Sequence, residues 1–584
     1  MDRRGPDNRA HRGWRTADGR NVVLLHSRLS IIDLDPRSNQ PFGMGGRWIA
    51  LNGELYNYVE RRRALEQLGE PFATTSDTEV LLRAIARQGW DVLDACEGMW
   101  AFAFFDEANG TLSLCRDRFG EKPLYLYRDG KDLYFGSEPK FIMALLGRRL
   151  KPNRGHLRRY LVNGYKSLYK SRETFFEGLE ELPAAHVLHC GADGERLARY
   201  WAPRLGENEA LSYEAAVAGT RERLIRSVEL RLRADVPLAF CMSGGVDSNA
   251  LISIAKRELG YDVHGFTIMN TDARYEERDM IELAVRELGI RHTPIPLGTG
   301  DFLPRLRELV CYHDAPVITI TYYAHWLLQQ SIAGHGYRIS VSGTAADELF
   351  SGYFDHHLQY LADVKGLPGH AAARLAWETH IRPITRNPLL QDADLYVRDP
   401  GFRDNAYFDA EGFAGYLVSP EHEAFREERY VGGLLRNRML NEIFQETVPV
   451  ILHEDDLNAM YYSIENRSPF LDRPLFEFAQ TIPVRHLIQD GRAKAVLRDA
   501  VRGIVPQPVL DNRRKVGFNA PIDELLDIAN PAVQAEVLAD SPVFDLVRRE
   551  RIAALCGKSD LPNSESKFLF YFLNTKMFLE EFAA

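Results

Sequence analysis

The chain of 584 residues has no long apolar run. Its longest stretch free of Asp, Glu, Lys and Arg, Ala315 to Tyr337, carries two glutamines, two histidines and two glycines. A bilayer-spanning helix needs about 20 mostly apolar residues, so no membrane partner is expected. Blocks of one charge are missing too. Lys+Arg 72 against Asp+Glu 82 leave −10, spread along the chain, and nothing proposes a nucleic-acid surface. Cysteine is scarce: the six residues Cys96, Cys115, Cys190, Cys241, Cys311 and Cys556 form no Cys-x-x-Cys pair, which argues against zinc and disulfides and for reduced thiols. The N-terminus is basic and polar with no apolar core of a signal peptide. These absences predict a cytoplasmic protein with small-molecule partners. What is present, 45% hydrophobic and 26% charged residues, is ordinary for a globular protein, and the length allows two to four domains.

The chain is organised around Leu238-Ala-Phe-Cys-Met-Ser-Gly-Gly-Val-Asp-Ser248, an apolar run that turns through adjacent glycines into an amphipathic segment, Asn249 to Leu259. This reads as strand, anion-gripping loop, helix. Adjacent glycines let backbone N–H groups approach an anion, and the helix N-terminus adds its dipole. Ser243 and Ser248 supply hydroxyls, and Asp247 is a hard oxygen ligand suited to magnesium. A Walker loop is excluded, because the lysine is absent. The hexapeptide from Ser243 resembles the pyrophosphate-binding loop of ATP pyrophosphatases, which cleave ATP to AMP and pyrophosphate.

Around it the periodicity divides the chain. Residues 1 to about 205 predict an α+β block with candidate strands at Val22–Leu25, Arg47–Leu51, Ala101–Asp106, Thr111–Arg116, Pro123–Arg128 and Asp132–Ser137. Helical spacing falls at Tyr58–Leu68 (Val59, Leu65, Leu68) and Thr78–Gln88 (Val80, Leu81, Ile85). Beyond Ser248, strands at Val263–Met269, His292–Leu297 and Tyr337–Ser342 alternate with helices at Glu276–Gly289 and Tyr323–Ala333. That alternation predicts an α/β domain, residues 206–584, with a doubly wound parallel sheet, its ligand at the strands' C-terminal ends, and a helical C-terminal part. At the second such end, Ser342-Gly343 offers another backbone cradle and Asp347 a second carboxylate for the metal. Asp355-His-His357 has adjacent rather than ligand-like spacing and predicts a surface or supporting role; His325, His335 and His453 read as solitary.

In the first block, Arg28-Leu-Ser-Ile-Ile32, Asn52-Gly-Glu-Leu-Tyr-Asn57 and Ser76-Asp-Thr-Glu79 sit where strands end or a helix begins. A guanidinium can take a carboxylate, and a Gly-Glu turn with an aspartate can take an ammonium, so together they could hold an amino acid. Taken singly, each is equally well a turn or a helix cap. With Arg-Arg-Gly-Pro-Asp at 3–7 and Arg-Asp-Arg-Phe-Gly-Glu-Lys-Pro-Leu-Tyr at 116–125, they occur in the order found in the glutamine-hydrolysing asparagine synthetase family, which this chain resembles. The later motifs Glu454–Met460, Ser463–Asp472 and Arg513–Pro521 resemble that family's substrate helix and lysine-glycine-phenylalanine loop.

The resemblance implies an N-terminal-nucleophile-type αββα sandwich, with its first strand missing, in residues 1–205, and an ATP-pyrophosphatase synthetase domain in 206–584. It implies glutamine binding by Arg28, Leu29, Ser30, Ile31, Ile32, Asn52, Gly53, Glu54 and Asp77. ATP would be held by Met242, Ser243, Gly244, Gly245, Val246, Asp247, Ser248, Ile268, Ser342 and Gly343, and Mg2+ by Asp247 and Asp347. Catalysis would fall to Lys515, on the α-phosphate, with Asp247, Asp347 and Thr344. Aspartate would be adenylated and amidated, with glutamine or ammonia as nitrogen donor; a homodimer stays open.

Two departures qualify this. The family's cysteine nucleophile, exposed by methionine removal, has no counterpart in Met1-Asp2-Arg3, and Cys96 lies in an apolar segment unsuited to replace it. Either the start is internal to a longer protein or the glutaminase half is inactive; the legible glutamine motifs favour the first. The family's serine-glycine-glutamate-glycine is here Ser342-Gly-Thr344-Ala-Ala346, which removes a carboxylate from the acceptor pocket. Thr-Ala-Ala-Asp with Phe354-Asp-His-His357 resembles relatives that amidate another carboxylate, such as a uronic acid of a surface polysaccharide. A non-catalytic nucleotide-binding regulator is the third reading.

Overall fold

The computed structural model describes the chain except residues 270–276, 298–299, 407–408, 514–521, 523–524, 559–560 and 584. Its first eleven strands are β1 (Asn8–Arg15), β2 (Asn21–Arg28), β3 (Phe42–Met44), β4 (Arg47–Leu55), β5 (Gly98–Asp106), β6 (Thr111–Arg116), β7 (Tyr125–Asp129), β8 (Asp132–Gly136), β9 (Leu179–Glu181), β10 (His186–Gly191) and β11 (Gly194–Arg199). Six of them form an antiparallel sheet in the order β11-β10-β6-β5-β4-β3. β5 shows why the layers stack as they do. Its Trp100, Phe102 and Phe104 point to one face and join Leu65, Val80, Leu81 and Ile85 of the helices Tyr58–Gln67 and Asp77–Gln88. The intervening Ala101, Ala103 and Phe105 point to the other face and meet Val22 and Leu24 of β2 and Leu124 and Leu126 around β7.

The β1-β2 hairpin and the β8-β7-β9 sheet form that second layer. Helices Pro139–Leu146 and Arg154–Asn163 cover it through Ile142, Met143, Leu157 and Tyr160. The result is the expected αββα sandwich. Leu68, expected in the apolar stripe, is instead exposed, because the helix ends at Gln67 and Leu68 caps it.

The second half holds β12 (Leu238–Cys241), β13 (His264–Met269), β14 (Arg291–Pro296), β15 (Ile339–Val341) and β16 (Glu465–Arg467). They form one parallel sheet in the order β14-β13-β12-β15-β16. The chain steps outward from β12 on one side, then crosses to β15 and β16 on the other. The direction reverses between β12 and β15, and the loops leaving these two strands open a crevice there. The helix after β12 runs Val246–Ser253, three residues earlier than expected, and continues as a π turn over Ile254–Glu258. β16 was not anticipated. Its Glu-Asn-Arg sequence carries no apolar signal, and it is buried by position rather than by composition.

The halves share polar contacts, those of Asp456 buried and the others partly exposed. Arg4 donates to Glu138 at 2.5 Å and to Asp456 at 2.6 Å, and Lys122 reaches Asp456 at 3.2 Å. Asp7 pairs with Arg338, and the Asp33 N–H donates to Asp235 at 2.7 Å. Among the described residues, no helix is long and apolar enough to cross a membrane.

Candidate active sites

At the crevice, the Ser243–Ser248 loop is pinned from inside. The Ser248 hydroxyl accepts from the Ser243 N–H at 3.1 Å, Ser243 Oγ accepts from the Gly245 N–H at 3.2 Å, and Asn249 Nδ2 donates to the carbonyls of Ser243 and Gly245 at 2.9 and 2.7 Å. Asn249 therefore stiffens the loop from the first turn of the helix. A Cβ on Gly343 would lie 3.1 Å from Asp247 Cβ and 3.3 Å from the Ser248 N, so glycine there lets the two loops meet. Met242 is buried and packs against Gly265, while Ile268 near the end of β13 is half-buried.

The residue that joins the loops is Lys494. Its Nζ lies 2.6 Å from Asp247 Oδ2 and 2.6 Å from Asp347 Oδ1, and the side chain is 5% exposed. Asp247 and Asp347 thus face one point from opposite sides of the switch in strand order. Three non-glycine residues around that point, Ala345, Ser351 and Lys494, hold left-handed backbone (φ 75°, 70° and 58°). Such strain persists only where surrounding structure enforces it, and it gathers at functional sites. Gly352 is equally constrained: a Cβ there would come within 1.7 Å of Asp347 Oδ1 and 2.5 Å of Lys494 Cε. Glu348, next in sequence to Asp347, is pushed up to about 7 by burial and the neighbouring Asp347, and the Tyr353 hydroxyl donates to it.

Thr344 faces a short polar chain. Its hydroxyl bonds Ser342 Oγ at 3.0 Å and Asp455 Oδ2 at 3.4 Å, and Asp455 Oδ1 lies 3.3 Å from His325 Nδ1. His325 is therefore not solitary. Asp355, His356 and His357 are buried, which rules out the surface alternative and leaves the supporting one: His356 Nε2 bonds Glu442 at 2.9 Å inside a charged cluster with Arg438. Among the described residues, no group of three or more metal-ligating side chains converges.

The amino-acid motifs of the first half also converge. Gly53 has φ 141°, and a Cβ on it would meet the Met99 carbonyl at 2.1 Å, so only glycine lets β4 pass β5 here. Asn52 Nδ2 donates to Ser137 Oγ at 3.2 Å. Asp77 accepts the Leu55 and Thr78 N–H groups at 2.9 and 2.8 Å, and burial pushes its carboxyl up to about 6. Glu54 is raised well above the usual carboxylate range by burial, with Asp77 and Glu465 adding to it. Arg28 is spent differently from expectation: it donates to the carbonyls of Ile32, Asp33 and Asp35 and to Asn39 Oδ1, tying down the loop after β2. In that loop the Ser30 N–H donates to Asp7, Ile31 accepts from Asp235, Ile31 and Ile32 pack into the core of the second half, and Leu29 lies against it. Cys96 is fully buried and its thiol is pushed up to about 12, unsuited to nucleophilic work.

Family profiles account for nearly the whole of this arrangement. The profile described as asparagine synthase matches residues 219–580, and the one described as glutamine amidotransferase domain matches residues 1–201. The chain belongs to the asparagine synthase family. Among its relatives, asparagine synthetase [glutamine-hydrolyzing] 3 of Bacillus subtilis is 29% identical over 540 residues, covering 88% of this chain and 82% of its own. A putative asparagine synthetase [glutamine-hydrolyzing] of Mycobacterium bovis is 29% identical over 634 residues, covering 99% and 93%. Amidase chyE of Penicillium rubens is 28% identical over 576 residues, covering 88% and 82%.

Within this family member, Lys515 lies outside the described residues. The cation in contact with both carboxylates is Lys494, in Gly491-Arg-Ala-Lys-Ala-Val-Leu-Arg498. A lone lysine just before an apolar helix (Ala495–Ala500) was the available signal. Asp455 and Arg467 fall inside the motifs Glu454–Met460 and Ser463–Asp472, whereas His325 carried no signal, because it meets Asp455 only through the packing of two helices.

Proposed function

We propose that this chain is an ATP-dependent amidating ligase, with the crevice at the β12/β15 switch as its adenylation site and Lys494 as its principal cation. The observation that carries the reading is the Lys494 ammonium held between Asp247 and Asp347, beside a loop built to take a polyphosphate. That pair of carboxylates holds positive charge at this point already, so the same two side chains suit Mg2+ arriving with the nucleotide, which would draw charge from the phosphates. The backbone N–H groups of Gly244 and Gly245, with Ser243 and Ser248, would take the pyrophosphate end. Met242, Val246 and Ile268 would border the rest of the nucleotide, and Ser342-Gly343 the far side of the crevice.

In the chemistry that follows, an oxygen of the acceptor carboxylate attacks the α-phosphorus, the bond to the bridging oxygen breaks, and pyrophosphate leaves. Ammonia then attacks the acyl carbon, the bond from that carbon to AMP breaks, and nitrogen sheds a proton. Lys494 sits where charge grows on the α-phosphate during the first step. Residues 1–205 would hold glutamine through Asn52, Gly53, Glu54 and Asp77, with the loop organised by Arg28; with no nucleophile identified among them, the ammonia that residues 206–584 use would be taken from solution.

Aspartate is the first acceptor to test, and a uronic acid the second. The second rests on Thr344, which with Asp455 and His325 presents hydroxyl, carboxylate and imidazole groups suited to hydroxyl-rich ligands. The deciding measurement is ATP-dependent pyrophosphate release with ammonium and each acceptor in turn. Release with neither aspartate nor uronic acids would leave the adenylation reading without support.

A further inference from the structure

Strand β16 has three residues and two faces. Asn466 points into the synthetase crevice, bonding Ser342 Oγ through Nδ2 at 3.2 Å and accepting from Ser340 Oγ at 3.1 Å. Glu465 and Arg467, on the opposite face by strand alternation, point toward the first half. Arg467 is fully buried: Nε donates to Glu465 at 2.8 Å, and Nη1 donates to the carbonyls of Arg231 and Arg233 at 2.8 Å each. Its guanidinium lies 5.2 Å from the centre of the Tyr56 ring. Tyr56 stands two residues after Glu54, in the turn that follows β4. Two buried polar atoms at this meeting point have no hydrogen-bond partner: Arg467 Nη2 on the synthetase side and Glu54 Oε2 on the amidotransferase side.

We propose that Arg467 completes the glutamine pocket from the other half of the chain, as a positioning residue that favours the ionised forms of Glu54 and Asp77 for an amino acid's ammonium group. The inference rests on the glutamine-binding reading of that pocket. Its physics is charge balance. Glu54, Asp77 and Glu465 bring three carboxylates into one buried volume, where each ionised group makes the next harder to ionise. Arg467 acts against this on both Glu54 and Asp77, Lys122 acts on Glu54, and Arg28 senses both carboxylates from β2. Tyr58, on the neighbouring helix, also feels both. Burial works against the charge of Arg467 itself, yet Glu465, Tyr56 and Glu54 outweigh it and hold its pKa above the ordinary value. Lys122 is already engaged by Asp456, and Arg28 by the loop carbonyls. Arg467 keeps a buried donor nitrogen, Nη2, without a hydrogen-bond partner.

The test is the pH dependence of L-glutamine binding to the full chain, by calorimetric titration between pH 5.5 and 8.5. A carboxylate that must be ionised gives affinity that rises with pH through its pKa, near 6 for Asp77, and levels above it. In Arg467→Gln the rise is expected about one pH unit higher, so that affinity near pH 6.5 falls roughly threefold and recovers by pH 8.5. Arg467→Lys, which keeps the charge and serves if the first variant folds poorly, is expected to lie between the two. Mg-ATP affinity, measured on the same samples, is expected to stay within about twofold. A profile superimposed on that of the unaltered chain, or a loss equal at every pH, would overturn the proposal, the latter by marking a packing role. Failure of the unaltered chain to bind glutamine at any pH would overturn the pocket reading and this inference with it.

Discussion

In the synthetase crevice, Asp247 and Asp347 meet their counter-charge directly, at 2.6 Å from one lysine nitrogen. In the amidotransferase pocket, Asp77 is held by two backbone N–H groups, Glu54 keeps one oxygen unbonded, and one of the balancing cations, Arg467, lies across the interface between halves. The first arrangement already holds a cation, the Lys494 ammonium, between its two carboxylates. The second is a site whose charge depends on proton concentration, since burial has lifted Asp77 to about 6. Two carboxylates in each place therefore serve different ends, one pair gripping positive charge permanently and the other accepting it conditionally.

The largest expected effect tests the first arrangement. Lys494→Met should lower pyrophosphate release roughly 10²–10³-fold, the scale seen when one preorganised donor to a charged transition state is removed. Glutamine affinity should not change. A variant that keeps more than a tenth of the original rate would remove Lys494 from the chemistry and return attention to Lys515.

Next in size, Gly53→Ala should strike only the second arrangement. The added Cβ would meet the Met99 carbonyl at 2.1 Å, and a strain of about 1–3 kcal/mol would displace the turn beside Glu54. Glutamine affinity is expected to fall about tenfold or more, while ammonium-supported pyrophosphate release stays near its original rate. Equal losses in both would show that the pockets are not separable.

A smaller change, Asp455→Asn, should raise the KM for the acceptor about five- to tenfold with the KM for ATP unaltered, as expected for one weakened hydrogen bond to Thr344. A shift confined to ATP would place Asp455 on the nucleotide side instead.

Smallest is an acid effect common to both halves. His26, bonded to the Leu51 carbonyl beside the glutamine pocket, is pulled down to about 4 by burial, and His357 in the second half to about 3. Each stays neutral in the fold while the unfolded chain takes up a proton below about 6.5, so stability should fall as pH drops from there toward 4. Thermal unfolding followed from pH 7 to 4.5 should show Tm dropping by roughly 1–2 °C for each kcal/mol lost. A level Tm would contradict the buried, neutral state of these rings.

The parts of this molecule that sequence made legible are those where a residue's role is set by its neighbours in the chain. β5 alternates aromatic and small residues, and both of its faces can be read directly. The glycines at 244, 245 and 343 announce backbone approaching something. The parts that stayed hidden owe their role to distant packing. β1 is mostly polar and exposed, so Asn8–Arg15 has no strand signal beyond its pairing with β2. Lys494 sits in a turn and looks like any solvated lysine until Asp247, 247 residues away, closes on it. Arg28 shows the converse. Its residue type suited a ligand carboxylate, yet the nearest acceptors were the carbonyls of its own loop.

β16 also bears on inheritance. Because its Asn466 serves one pocket while Glu465 and Arg467 reach the other, a chimera cut near residue 205 would give the transplanted glutamine pocket a foreign wall. Exchange of amidotransferase halves between relatives should succeed only when Glu465 and Arg467 of β16 travel with the half they face. On that reading, the seam between functions would not coincide with the seam near residue 205.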